Sequence, residues 1–196
     1  MGLSELVLPT WPINQVPPAA AKLFIALWPT ADTVQAIQQQ SPIVYNWATG
    51  RALPAAHWHI TLAYMGRCSA VQWDNVSKGF GGLVIPTVAQ LQLEAVGHFE
   101  QAQVIYLQVA ANRGHYPQLQ RAYQQLWAQL DPWGWQPEDR PYVPHVSLLR
   151  RAQYQWPAPA WPTVPWQSRC LKLIVSMAQP QGSTYFQVAE QPIAKE

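Results

Sequence analysis

Two tetrapeptides in this chain repeat one pattern. His59-Ile60-Thr61-Leu62 and His145-Val146-Ser147-Leu148 each read imidazole, β-branched residue, hydroxyl, leucine. In a strand, alternate side chains share a face, so each segment sets an imidazole beside a hydroxyl while its apolar residues point into a core. Two such faces meeting across one cleft supply what hydrolysis of a phosphodiester demands. One neutral imidazole takes a proton from water, and one imidazolium gives a proton to the departing oxygen. Histidine serves in either form because its ordinary pKa of ~6.5 keeps both accessible near neutrality. The hydroxyls of Thr61 and Ser147 would donate hydrogen bonds to the non-bridging oxygens, where charge builds as phosphorus becomes pentacoordinate. The scheme uses no metal and no other cofactor. Residue type alone does not say which histidine is base and which is acid.

A single His-x-Thr or His-x-Ser match is weak, because a half-buried histidine satisfied by a nearby hydroxyl explains one copy equally well. Two copies on predicted strands, in a chain with five histidines, argue for a joint role. Two other readings compete. His57 and His59 form a His-x-His pair that could bind a transition metal if His145 or a carboxylate joined it, giving a metal-dependent hydrolase. The eleven tryptophans could instead stack bases in a catalytically silent RNA-end or nucleotide-binding protein. Activity in excess chelator separates the first alternative, and binding without turnover the second. There is no G-x-S-x-G elbow, and Gly79-Phe80-Gly81-Gly82 lacks the Lys-Ser/Thr of a phosphate-binding loop. His98 and His115 fall in a hairpin region and at a helix start, where surface or capping roles suffice.

The histidines need elements to hold them. Residues 1–21, with Pro9, Pro12, Pro17 and Pro18, read as an irregular arm, and the fold is expected over 22–196. Lys22–Trp28 (KLFIALW) predicts a buried strand ended by Pro29, and Ala31–Gln40 a helix ending before Pro42. His57–Met65 alternates, with His57, His59 and Thr61 on one face. Ser69 suits the N-cap of a helix carrying Trp73, Val76 and Phe80 up to Gly81. Leu91–Phe99 and Val104–Val109 predict a hairpin, and Pro117–Leu130 has the clearest helical stripe. His145–Arg150 predicts a strand, Trp156–Trp166 a proline-rich connector, and Arg169–Met177 and Thr184–Ala189 two final strands. Such mixing of elements implies an α+β fold with largely antiparallel sheet. The duplicated motif suggests two lobes facing each other.

Composition narrows the partner. Apolar residues make up 49% of the 196, enough for a core, while charged residues are only 11% against the ~25% of a typical domain. Glutamine, at 24 residues, fills the gap. The net charge of +2 divides into −2 over residues 1–139 and +4 over 140–196. That is too little for bulk binding of a duplex, yet enough for a local anionic pocket in the C-terminal part. No stretch reaches the ~18 apolar residues of a membrane span and no leader is evident, so a cytoplasmic protein is expected. Cys68 and Cys170 belong to no CxxC pair and indicate no disulfide framework.

The motifs also carry a resemblance. LFIAL at 23–27, HWHITLAYMG at 57–66 and PYVPHVSLLRRA at 141–152, in that order, are similar to segments of the two-histidine phosphoesterases. More specifically they resemble the bacterial RNA 2′,3′-cyclic phosphodiesterase branch, also called 2′-5′ RNA ligase. Ser176, and Tyr185 after a Pro-Gln-Gly-Ser turn, extend the likeness, which covers roughly residues 22–190. The resemblance implies a single bilobal domain: two pseudo-symmetric lobes of antiparallel sheet with outer helices and a V-shaped cleft between them. It implies no cofactor and His59 and His145 as the catalytic pair, with His145 activating water and His59 protonating the leaving ribose 3′-oxygen. Thr61 and Ser147 assist, and Arg150 occupies the place of a phosphate-contacting arginine. The implied reaction opens a 2′,3′-cyclic phosphate to a 2′-phosphate, and its reverse joins RNA ends through a 2′-5′ bond. The expected partner is RNA with a cyclic phosphate end, or a small cyclic nucleotide, acted on by a monomer. Two departures stand out: Ser147 replaces the commoner threonine, and charge is low, which favours a cyclic end or small nucleotide over long RNA. Arg150 also lies five residues from His145, so the strand must end, twist or bulge near Leu149 to bring both to one face.

Overall fold

Lys22–Pro29 forms β1, and its alternation explains the layering of the molecule. Leu23, Ile25 and Leu27 enter the main core, while Phe24, Ala26 and Trp28 enter a second, smaller cluster on the opposite face. The computed structural model describes residues 7–88, 90–155 and 157–193. After β1 the order is α1 (Ala31–Trp47), β2 (Ala48–Ala52), β3 (Ile60–Gly66), α2 (Ala70–Gly79), β4 (Gln90–Phe99), β5 (Val104–Val109), α3 (Tyr116–Leu130), β6 (His145–Tyr154), β7 (Val164–Gln179) and β8 (Gly182–Pro192). The strands pair antiparallel along the path β2-β6-β5-β4-β7-β1-β3, with β8 added to β7. This is the α+β, antiparallel architecture expected.

β7 joins the two halves of that path. Its first residues, Val164–Gln167, pair with β4, and from Ser168 onward it pairs with β1 and then β8. The connector is therefore shorter than 156–166, because Val164 already belongs to the ladder. Trp156, at its expected start, lies outside the described residues, as do residues 1–6 of the arm and 194–196. The rest of the arm is docked: Trp11 N–H donates to the Gln187 carbonyl at 2.9 Å, Gln187 N–H donates to the Pro9 carbonyl at 2.8 Å, and Leu8 is buried in the smaller cluster.

Two element boundaries differ from expectation for identifiable reasons. α1 runs through Pro42 to Trp47. The Gln38 carbonyl, which an N–H at position 42 would have served, instead accepts from the Ser41 hydroxyl at 3.0 Å. The segment 57–65 is not all strand: Ala55–His57 is a 3-10 turn and β3 begins at Ile60, so His59 stands just before the strand. α2 has its expected cap, with Ser69 and Gln72 forming a reciprocal capping box. In the β4–β5 hairpin Gly97 faces Tyr106, and a Cβ there would lie 2.5 Å from the Tyr106 ring. Only glycine leaves room for that ring over its backbone, and Tyr106 is in turn the ladder partner of Ser147 on β6.

Candidate active site

Both histidines are anchored in the same way by their own backbone. His59 Nδ1 lies 2.7 Å from the His57 carbonyl, and His145 Nδ1 lies 2.7 Å from the Val143 carbonyl. A carbonyl only accepts, so in each neutral ring Nδ1 carries the proton and Nε2 carries the lone pair. At His59 that Nε2 is 3.1 Å from Thr61 Oγ1, which can donate to it. A repeated tetrapeptide has thus become a repeated geometry: a ring fixed two residues back through Nδ1, with Nε2 turned away from that carbonyl.

The strands deliver the remaining groups. Thr61 pairs with Ala26, which puts it on the face of Phe24 and Trp28. On β6, Val146 and Leu148 are buried in the main core and Ser147 lies beside Tyr106. The ladder then slips: Tyr106 opposes Ser147 but Ile105 opposes Leu149, so Leu148 is an extra residue. This bulge restores parity, and Arg150 emerges opposite Val104 on the face of His145 and Ser147. The strand irregularity required of Arg150 by its spacing is therefore present.

Thr61, His145, Ser147 and Arg150 together line a cavity of about 510 Å3. Its other walls mix aliphatic residues with the aromatic Tyr64, Phe99, Tyr123 and Tyr142, and include the ion pair of Glu138 and Arg140. His59 is not itself a wall of this cavity. It adjoins it through the hydroxyl of Thr61, and it feels the charges of His145 and Arg150. Four of the five residues singled out in the sequence are thus walls of one space, and the fifth is one hydrogen bond behind.

A family model described as the 2′-5′ RNA ligase superfamily matches residues 26–176. The chain belongs to that superfamily. Among solved structures, E. coli LigT in apo form superposes with a TM-score of 0.71 at 20% identity, over 91% of this chain and 100% of that one. A protein described only as a phosphoesterase gives 0.73 at 21%, over 90% and 99%. TT0787 of Thermus thermophilus gives 0.66 at 20%, over 88% and 97%. These likenesses concern the fold. No curated protein matches the sequence.

In this member of the 2′-5′ RNA ligase superfamily the imidazoles are held neutral. Burial lowers His59 to about 3, against a partial opposing effect of the His57 carbonyl, and the charges of His145, His57 and Arg150 add to the lowering. His145 is lowered chiefly by burial, then by Arg150 and Arg140, with the Val143 carbonyl opposing. His57 falls to about 4 through burial, then Arg51 and Arg150. These shifts have a consequence for stability. The unfolded chain takes up protons near pH 6.5, whereas folded His57 and His59 resist until about 4 and about 3. Below about pH 6.5 the unfolded state binds more protons, so stability falls with acidification. We expect the thermal unfolding midpoint to drop between about pH 6.5 and 5, above the ordinary carboxylate range. A midpoint constant over that window would mean that these rings titrate normally.

Several groups around the histidines carried no motif. The His59 ring is stacked on Phe24 (4.9 Å between centroids) and on Trp28 (5.2 Å), with Tyr185 edge-on at 5.7 Å. His57, instead of offering a metal ligand, stacks on Tyr185 at 4.2 Å. Among the described residues no group of three or more His, Cys, Asp or Glu is placed to hold a metal. Tyr142 donates its hydroxyl to the Thr61 carbonyl at 3.0 Å and stacks on Tyr123 at 4.1 Å, tying β3 to the segment before β6. Tyr185 also hydrogen-bonds Arg150. The available signal was the even-numbered residues of KLFIALW, where Phe24 and Trp28 share a face.

Proposed function

We propose that the protein hydrolyses RNA or nucleotide 2′,3′-cyclic phosphates to 2′-phosphates by metal-independent acid–base catalysis, and can run the same chemistry backwards as 2′-5′ ligation. The observation that carries this reading is the matched pair of backbone-anchored imidazoles, each followed two residues later by a hydroxyl, with Arg150 acting on both. Structures of the related fold of E. coli LigT are described with 3′-AMP, with NADP+ and with phosphate, which is consistent with a nucleotide phosphate as ligand.

In the forward direction water attacks phosphorus as its proton passes to His145 Nε2. The bond from phosphorus to the ribose 3′-oxygen breaks, and that oxygen takes a proton from His59 Nε2. Charge on the non-bridging oxygens is met by Thr61, Ser147 and the forked guanidinium of Arg150. His145 suits the water side because it lines the open cavity, while His59 is held in the aromatic stack against Thr61. Reversal replaces water by a ribose hydroxyl.

The productive state has one proton on the pair. Because burial and Arg150 lower both rings, that state peaks below pH 6.5 in the free protein, and kcat/KM should fall as pH rises through neutrality. A bound phosphate anion raises both rings, so kcat should peak at higher pH than kcat/KM. The decisive assay offers RNA ending in a 2′,3′-cyclic phosphate, with excess chelator, and analyses the product. Turnover to the 2′-phosphate is expected. Dependence on added metal, a 3′-phosphate product, or binding without turnover would each contradict the reading.

A further inference from the structure

β2 places a second arginine beside Arg150, just outside the cavity. Arg51 is the ladder partner of Arg150, so their Cα atoms are about 5 Å apart and their side chains leave the same face. Like charges placed opposite each other in an antiparallel pair are destabilising unless an anion lies between or beside them. Neither guanidinium is in an ion pair among the described residues, where the bridges are Lys78–Asp74, Arg140–Glu138 and Lys172–Glu190. Arg51 reaches across to the β7–β8 turn and lies over the backbone of Gly182, where a Cβ would stand 2.5 Å from a terminal guanidinium nitrogen. The glycine at that turn, with φ of 141°, leaves the room that Arg51 fills.

The two arginines do not do the same work. The charge of Arg150 acts on His57, His59, His145 and Tyr185 alike, whereas that of Arg51 acts on His57 and Tyr185. Arg150 lines the cavity, and Arg51 lies one strand further out, beside the His57–Tyr185 stack. A single phosphate held by the histidine pair therefore leaves Arg51 unsatisfied.

We propose that Arg51, on the far side of Arg150 from the histidine pair, forms a second phosphate subsite next to the reacting centre, which receives the 5′-phosphate of the nucleoside bearing the 2′,3′-cyclic group while Arg150 stays on the reacting phosphate. The assignment rests on the proposed reaction for the identity of the nucleotide, but binding alone tests it. Adenosine 2′,5′-bisphosphate is expected to bind about tenfold or more tightly than adenosine 2′-phosphate, a ratio set by one charge-assisted bidentate contact. Arg51→Gln is expected to bring that ratio below about twofold. Arg151→Gln, the same charge change on an exposed residue of the same sheet, should leave it as in the wild type. A dinucleotide ending in a 2′-phosphate distinguishes sources: a similar gain assigns an RNA strand, and no gain assigns 5′-phosphorylated mononucleotides. Equal affinities of the two adenosine ligands for the wild type would overturn the proposal, as would a ratio that Arg51→Gln does not change. Neither result depends on turnover, so failure of the proposed hydrolysis would be seen separately with the cyclic substrates.

Discussion

His145→Ala is expected to lower kcat/KM for a 2′,3′-cyclic phosphate by ~10²–10⁴-fold, and His59→Ala by a similar factor, the usual contribution of a positioned acid or base. The two losses should not add. Once one proton transfer is gone the other has little to assist, so the double variant should be nearly as active as the worse single one. The single variants differ in a second respect. His145 lies at the cavity wall with edge-on or tilted contacts to Phe99 and Tyr106, so its truncation costs less packing than that of a ring stacked between two others. His59 is stacked on Phe24 and Trp28, and its truncation opens a hole among buried rings that lowers stability as well. His59→Gln, which refills part of that space, should recover stability without recovering rate. Near-normal turnover by either alanine variant would remove that histidine from the mechanism.

Arg150→Ala is expected to cost about 10²-fold in kcat/KM, by analogy with loss of one donor to developing negative charge in other enzymes. Arg150→Lys should restore little of it, because an ammonium cannot make the forked contact. The sign of a further effect follows from electrostatics. The Arg150 charge lowers both His59 and His145, so its removal raises both rings and should move the kcat/KM profile to higher pH. A loss of rate without such movement would mean that Arg150 acts only through the strand it sits on. Steady-state kinetics across pH on the three proteins decides the point.

Much of this site could be read in the sequence because its signals are local. A two-residue period puts Thr61 and Ser147 beside their histidines, and the odd spacing of Arg150 demands the irregularity that the ladder contains at Leu148. What was not legible depends on distant partners. KLFIALW is apolar on both faces, so nothing local says that Phe24 and Trp28 face a histidine rather than the main core. The short segment Ala48–Ala52 contains Gly50 and Arg51 and shows no apolar alternation, and it becomes a strand only because β6 offers it an edge. Pro42 marked a helix end that the Ser41 hydroxyl overrides. The same limits hid Arg51, Tyr142 and the docking of the arm on β8.

The central claim is that two imidazoles from distant parts of the chain face one phosphorus, each through Nε2. Two-bond 15N NMR of the histidine rings, during titration with adenosine 2′-phosphate, tests it most directly. In the free protein near neutral pH, His59 and His145 should both be neutral with the proton on Nδ1. On titration both Nε2 signals should shift together along one binding curve. Response of only one of the two rings, or two curves with different midpoints, would contradict it.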